Sequence, residues 1–325
     1  MRWDSAQLEA LAAVVDEGSF DGAARALHVT PSAVSQRIRA LENTAGGVLV
    51  RRTRPAAPTA PGETLLRLAR QTSLLAAEAA AELHAAGLGP DPGAETGAAS
   101  AGDAAGGLPP RPVSVPIAIN ADSLATWVLP ALARVPGVVL DIHRADQQHT
   151  VALLPQGRVM MAITSQAEAV QGCVSRPLGV MPYRAMATRG VMRRWFPDGV
   201  TPQGLGRAPV LVFNRDDDLQ DRWLRDFARR AGCEVPAPPR TYVPSTPEYL
   251  EALRLGLGWG LVQDLRTGPV LADDDVVPLD PAAPAVEVPL HLQQWRLRSR
   301  TLDAVAEALL GEARRRLIQP GTTGA

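Results

Sequence analysis

Apolar residues first recur at helical spacing between Ser5 and Asp16, where Leu8, Leu11, Val14 and Val15 share a face before Glu17-Gly18 breaks the pattern. A shorter helix is predicted over Asp21–His28, with Ala23, Ala24 and Leu27 on one side. Thr30 then offers an N-cap oxygen, and Pro31 sits at a first helical position, where its missing N–H costs nothing. The third helix should run from Pro31 to about Thr44, closed by Gly46-Gly47. Wound at 100° per residue, it puts Val34, Ile38 and Leu41 on one stripe and Ser32, Gln36, Arg39 and Asn43 on the other, with Ser35 at the margin. Val48–Val50 reads as a short strand leading into Arg51, Arg52 and Arg54.

From Thr59 a long helix is predicted to about His84. Leu65, Leu68, Thr72, Leu75 and Ala79 alternate in steps of three and four, which suits either a coiled-coil seam or a face packed on its own domain. Residues 88–111 are Gly-, Ala- and Pro-rich and nearly devoid of large apolar side chains, the composition of a flexible linker. Beyond them strands and helices alternate: Val113–Ile119, Ser123–Arg134, Val138–Arg144, Thr150–Gln156, Met160–Thr164, and so on to a closing helix at Thr301–Leu317. Such alternation predicts an open α/β sheet.

Composition sharpens this outline. The 325 residues favour two domains, or three if the second half is split. The formal net charge is −1, yet between Arg25 and Arg54 six arginines face a single acid, Glu42. A polar helix bearing hydroxyl, amide and guanidinium groups, flanked by concentrated positive charge, has the chemistry to read base edges of double-stranded DNA and grip its phosphates. The alternative is a helical hairpin with a solvated face, which does not explain the charge. Cys173 and Cys233 lie outside any metal-ligand spacing, so no metal is expected, and a reducing, cytoplasmic setting is. No signal peptide or membrane-spanning run is apparent.

On these residues a resemblance can be named. Residues 5–70, with AARALHVTPSAVSQRIRALE followed by VLVRRTRPAAPTAPGE, resemble the DNA-binding domain of LysR-type transcriptional regulators. DEGSFDGAARAL, TPSAVSQRIRALE, NADSLATW and QGC further resemble the subfamily that controls export of lysine and arginine, the LysG/ArgP type. The resemblance implies a winged helix-turn-helix (1–60), a dimerisation helix (61–87) and an α/β effector domain (112–325) made of two subdomains like those of periplasmic binding proteins. Subdomain I would comprise about 112–164 and 264–325, and subdomain II about 165–263, with crossings near Ser165 and Gln263. It also implies a homodimer or homotetramer, RNA polymerase as a partner, and activation of a basic amino-acid exporter gene. DNA contacts are then expected from Thr30, Ser32, Ser35, Gln36, Arg37 and Arg39 on the helix, and from Arg51, Arg52 and Arg54 in the wing.

Ligands of open α/β sheets bind where strands end and helices begin. Asn120-Ala121-Asp122-Ser123 is such a turn, with Ser123 and Thr126 as hydroxyl donors, although plain N-capping explains Asp122 and Ser123 equally well. The distal cation of lysine or arginine needs an acid. Asp146 is the first choice, then Asp122 and Glu248, each also explicable as a solvated loop acid. Thr164, Ser165, Ser245 and Thr246 would face the same cleft. Catalysis finds no support: Gly256-Leu-Gly258-Trp-Gly260 lies between a helix and a strand, the reverse of a phosphate-binding loop, and no cofactor motif occurs. The rivals left standing are a ligand-independent architectural DNA-binding protein, a regulator of another amino-acid metabolism gene, and a stand-alone solute-binding protein or enzyme.

Overall fold

The structure is a computed structural model that describes residues 2–88, 113–144, 151–265, 268–269 and 273–319. The inferred linker at 88–111, all but its first residue, and Asp146 lie outside the described residues.

The N-terminal unit is built from α1 (Ser5–Asp16), α2 (Phe20–Ala26), α3 (Pro31–Ala45), the two-stranded wing β1 (Val50–Arg51) and β2 (Ala57–Pro58), and the start of α4 (Ala60–Ala85). Its helix ends are set by local chemistry. Asp4, Ser19, Thr30 and Thr59 each accept a backbone N–H from the first turn, and α3 stops at Gly46 in the left-handed region. The tight turn between α2 and α3 places His28 at φ 54°, a conformation costly for a side chain with a Cβ. Leu8, Leu11, Val14, Val34, Ile38, Leu41 and Leu66 close a separate small core beneath α3.

The second half contains β3 (Val113–Ile119), α5 (Ala121–Ser123), a π-turn at Leu124–Val128, α6 (Leu129–Leu132), β4 (Val138–Arg144), β5 (Met161–Thr164) and β6 (Cys173–Thr188). It continues through α7 (Arg189–Trp195), α8 (Pro202–Arg207), β7 (Val210–Val212), α9 (Leu219–Ala231), β8 (Arg240–Tyr242), α10 (Thr246–Arg254) and β9 (Gly260–Leu265). It ends with β10 (Gly268–Pro269), β11 (Val276–Pro278), β12 (Val286–Trp295) and α11 (Arg300–Arg316). One sheet runs β10-β9-β6-β12-β5-β3-β4, with β11 also on β6. β3 is parallel to β4 and β5, whereas β12 is antiparallel to both β5 and β6.

The subdomains are joined within long strands: β6 pairs with β12 over its first part and with β9 and β11 over its last, around a register shift at Leu290/His291. Pro177, Gly179 and Pro182 interrupt the apolar pattern of β6 and disguise it as two pieces. The helix expected over Ser123–Arg134 is broken by the π-turn. Pro130 has no N–H to donate to Thr126, so the wider turn absorbs its ring. Where a helix was expected over Thr150–Gln156, the described residues hold only a 3-10 turn at Val151–Leu153, just ahead of Pro155.

The two halves meet along α4. Leu74 enters the large effector core, and Glu78 accepts hydrogen bonds from Ser299 Oγ at 2.5 Å and Thr301 N at 2.9 Å, capping α11 from outside. Arg67 donates to the carbonyl of Pro155, and Arg70 of α4 pairs with Asp16 of α1. Leu75, Leu83 and Leu88 remain exposed on this helix and its end.

Candidate nucleic-acid interface and effector cavity

Along α3 the observed burial follows the helical period. Val34, Ile38 and Leu41 are buried, while Ser32, Gln36, Arg39 and Asn43 are exposed. Ser35 and Arg37 are half-buried at its flanks. Thr30 is exposed but engaged, since its Oγ1 accepts from Ala33 N at 3.2 Å and contacts Ser32 Oγ at 2.9 Å; its first task is to cap the helix. In the wing, Arg52 and Arg54 are exposed, and Arg52 stacks over the Phe20 ring at 5.1 Å. Arg51 is also exposed, and it donates to the carbonyl of Pro58 at 3.1 Å, bracing β1 against β2. Helix and wing thus present a convex polar edge with arginines at its margin, the shape and charge that a major groove and its phosphates demand.

The wing and α4 touch closely. A Cβ placed on Gly62 would lie 2.0 Å from the carbonyl oxygen of Leu49, and Thr59 Oγ1 donates to Val48 O at 2.7 Å. Glycine is required where α4 leaves the wing.

In the effector half a cavity of about 250 Å³ opens between the β3–α5 turn and the β7–α9 loop. Asn120, Ala121 and Asp122 form one wall, and Phe213, Asn214, Asp216, Asp217, Asp218, Leu219 and Arg222 another; Ser165, Val288 and Pro289 complete the lining. Its size approaches the ~300–1,000 Å³ typical of small-molecule sites. Four aspartates against one arginine make the lining acidic.

Asp122 is tied to two other elements. Its Oδ2 accepts from Tyr183 OH of β6 at 2.7 Å, and its Oδ1 from Thr246 Oγ1 of α10 at 2.8 Å. It therefore fastens subdomain I to the joining strand and to subdomain II. Asp217 is held by its own loop: Oδ1 accepts from Leu219 N at 3.1 Å and Oδ2 from Phe213 N at 3.2 Å. Burial raises the Asp217 pKa above the ordinary carboxylate value against the pull of these two N–H groups, and the charge of Asp122 pushes the same way. A carboxyl raised in the folded state favours folding below its unfolded pKa, and that benefit is lost as pH rises through the folded value. Above the raised value the ionised group works against the fold. The Asn120 side chain is almost wholly buried, and its Oδ1 has no hydrogen-bond partner.

Comparison with known proteins places both halves. Residues 5–63 match the family model described as bacterial regulatory helix-turn-helix protein, lysR family, and residues 113–317 match the LysR substrate binding domain. The chain belongs to the LysR family of transcriptional regulators. This regulator is 41% identical over 310 residues, 94% of its own chain and 97% of the relative, to a lysine export transcriptional regulatory protein LysG of Corynebacterium efficiens. It resembles the crystal structure of ArgP from Mycobacterium tuberculosis at 38% identity and a TM-score of 0.75, over 98% of this chain and 99% of that one. Full-length LysG from Corynebacterium glutamicum with bound effector Arg is similar at 35% identity and a TM-score of 0.67, over 97% and 100%. A DNA-binding regulator rather than an enzyme is what such kinship means.

Of the LysR regulator's expected effector residues, the structure brings Asp122 and Ser165 to the cavity and ties Thr246 to it through Asp122. Ser123 is fully buried with an unpartnered Oγ, Thr126 donates to the carbonyl of Asp122 at 2.6 Å, and Thr164 is buried and caps Gln166 N at 3.1 Å; none of the three lines the cavity. Ser245 donates to the side chain of exposed Glu248 in the first turn of α10, away from the lining. These hydroxyls were expected in the cleft because strand-end turns look alike in sequence; their rotation about the chain decides, and it turns them inward or back to the helix. The β7–α9 loop was missed. Its Arg215-Asp216-Asp217-Asp218 run after a short apolar strand was the available signal. Among the described residues, no helix is long and apolar enough to cross a membrane, and no cluster of His, Cys, Asp and Glu is arranged to hold a metal ion.

Proposed function

We propose that this regulator acts in the cytoplasm as a homodimer or homotetramer, binds lysine or arginine in the cavity between its subdomains, and activates transcription of a basic amino-acid exporter gene. The observation carrying this reading is the acid-lined cavity. A ligand with one carboxylate and two cationic groups matches a lining that offers Arg222 to the former and several aspartates to the latter. The arginine-bound LysG relative supports the same ligand class. Ser32, Gln36 and Arg39 read base edges, with Ser35 and Arg37 at the flanks, while Arg51, Arg52 and Arg54 hold phosphate or the adjacent minor groove. The exposed leucines of α4 supply a dimer seam, so that two α3 helices address paired half-sites. An effector moves such an assembly only through a difference in its affinity for two arrangements, and the altered pair of winged domains changes engagement of RNA polymerase.

A promoter fusion tests it. In cells carrying this protein and a reporter behind its target, added lysine or arginine raises output, and calorimetry on purified protein gives saturable heat with the active amino acid. Neither amino acid altering output or producing heat would refute the proposal.

A further inference from the structure

Two acids share the cavity wall but differ in circumstance. Asp122 is spent on architecture, because both of its oxygens accept hydroxyls from other elements, Tyr183 on β6 and Thr246 on α10. Asp217 binds the backbone N–H groups of Leu219 and Phe213 and the neutral side chain of Gln220, which fix its direction without neutralising its charge. It is half-buried, and among the described residues no basic side chain forms an ion pair with it. Asp216 and Asp218 beside it are exposed, so solvent and salt screen them. A half-buried carboxylate without an ion-pair partner carries a desolvation cost that an arriving cation offsets. A second, separate feature points the same way: Asn120, almost fully buried on the opposite wall, keeps an unpartnered Oδ1 that calls for an N–H donor.

We infer that Asp217 is the residue that selects a cationic amino acid: its carboxylate pairs with the ligand's distal guanidinium or ammonium, Asn120 Oδ1 accepts an N–H from the same ligand, and Asp122 serves as the tie between subdomains. The inference rests on the proposed use of the cavity for a basic amino acid and assigns its specificity to one side chain. A mere capping role for Asp217 would give no preference between ligands differing only in charge.

The test is calorimetry on the full chain with arginine and with citrulline, which replaces the guanidinium by an uncharged ureido group of nearly the same shape. Wild-type protein should prefer arginine by about 30-fold or more, the scale of a buried charge pair losing one partner. Asp217→Asn should lose most of that preference, and Asp217→Glu, which keeps the charge, should retain it at lower affinity. Asp122→Asn should weaken both ligands alike with the preference intact. Thermal melting of each variant establishes that it is folded. Preference kept in Asp217→Asn, lost equally in Asp217→Glu, or lost only in Asp122→Asn would overturn the assignment. Wild-type protein that binds arginine and citrulline equally would overturn it too, while leaving the cavity reading standing; wild-type protein that binds neither would sink both.

Discussion

The winged domain and the effector cavity are made from sequence in opposite ways. Every candidate base-reading side chain of the first comes from the single helix α3, whose 3.6-residue period decides at once what is buried and what is offered. The second is assembled from residues 120–122, 165, 213–222 and 288–289, four separated stretches that meet only because β3, β5, β7 and β12 bring them together. One site is a surface that any stable α3 would display. The other is a property of the whole sheet.

The sharpest break between the two regions is Gly62→Ala. The gain in helix propensity is at most about 1 kcal/mol, whereas the new Cβ would lie 2.0 Å from Leu49 O on the wing. We expect a net loss of about 3 kcal/mol. It should be confined to the winged half, with DNA binding abolished and arginine binding retained. Loss of both together, seen by differential scanning calorimetry with and without arginine, would mean that the two regions fold as one.

Asp122→Ala strikes the other region. It strands the hydroxyls of Tyr183 and Thr246 and should cost about 2 kcal/mol. The effector half should melt earlier while affinity for non-specific DNA is unchanged.

The same contrast explains what was legible beforehand. Thr30, Pro31 and Gly46 mark the ends of α3 because capping is local chemistry, and the polar face could be drawn from the period alone. The seam on α4 is less transparent: Leu74, outside the three-four pattern, enters the effector core, whereas Leu75, within it, stays exposed. Asp217 was hidden because nothing local in an acid run tells which member is turned inward and desolvated. The joining strand β6 was hidden because its prolines and glycine read as ends, although the sheet accommodates them at a register shift.

Smaller effects sharpen the contrast further. Gln36→Ala or Arg39→Ala should reduce discrimination between target and altered sites by about 1–3 kcal/mol for each base-edge hydrogen bond removed. Arg52→Ala should weaken all sequences alike and lower the salt slope by about 1. Binding isotherms at several salt concentrations separate the two patterns, and a change of sequence preference in Arg52→Ala would contradict this division of labour.

The smallest effect is a pH dependence. Because burial raises the Asp217 pKa, a cationic ligand must pull the value down, so arginine binding should release protons and tighten as pH rises through the raised value. Calorimetry in buffers of different ionisation heat reads this directly, and proton uptake instead of release would be the wrong sign.

The most direct test of the whole account is genome-wide footprinting of this protein with and without arginine or lysine. Protection should concentrate at paired half-sites upstream of a basic amino-acid exporter gene, and its extent should change when the amino acid is added. Footprints indifferent to both amino acids, or spread without sequence preference, would contradict it.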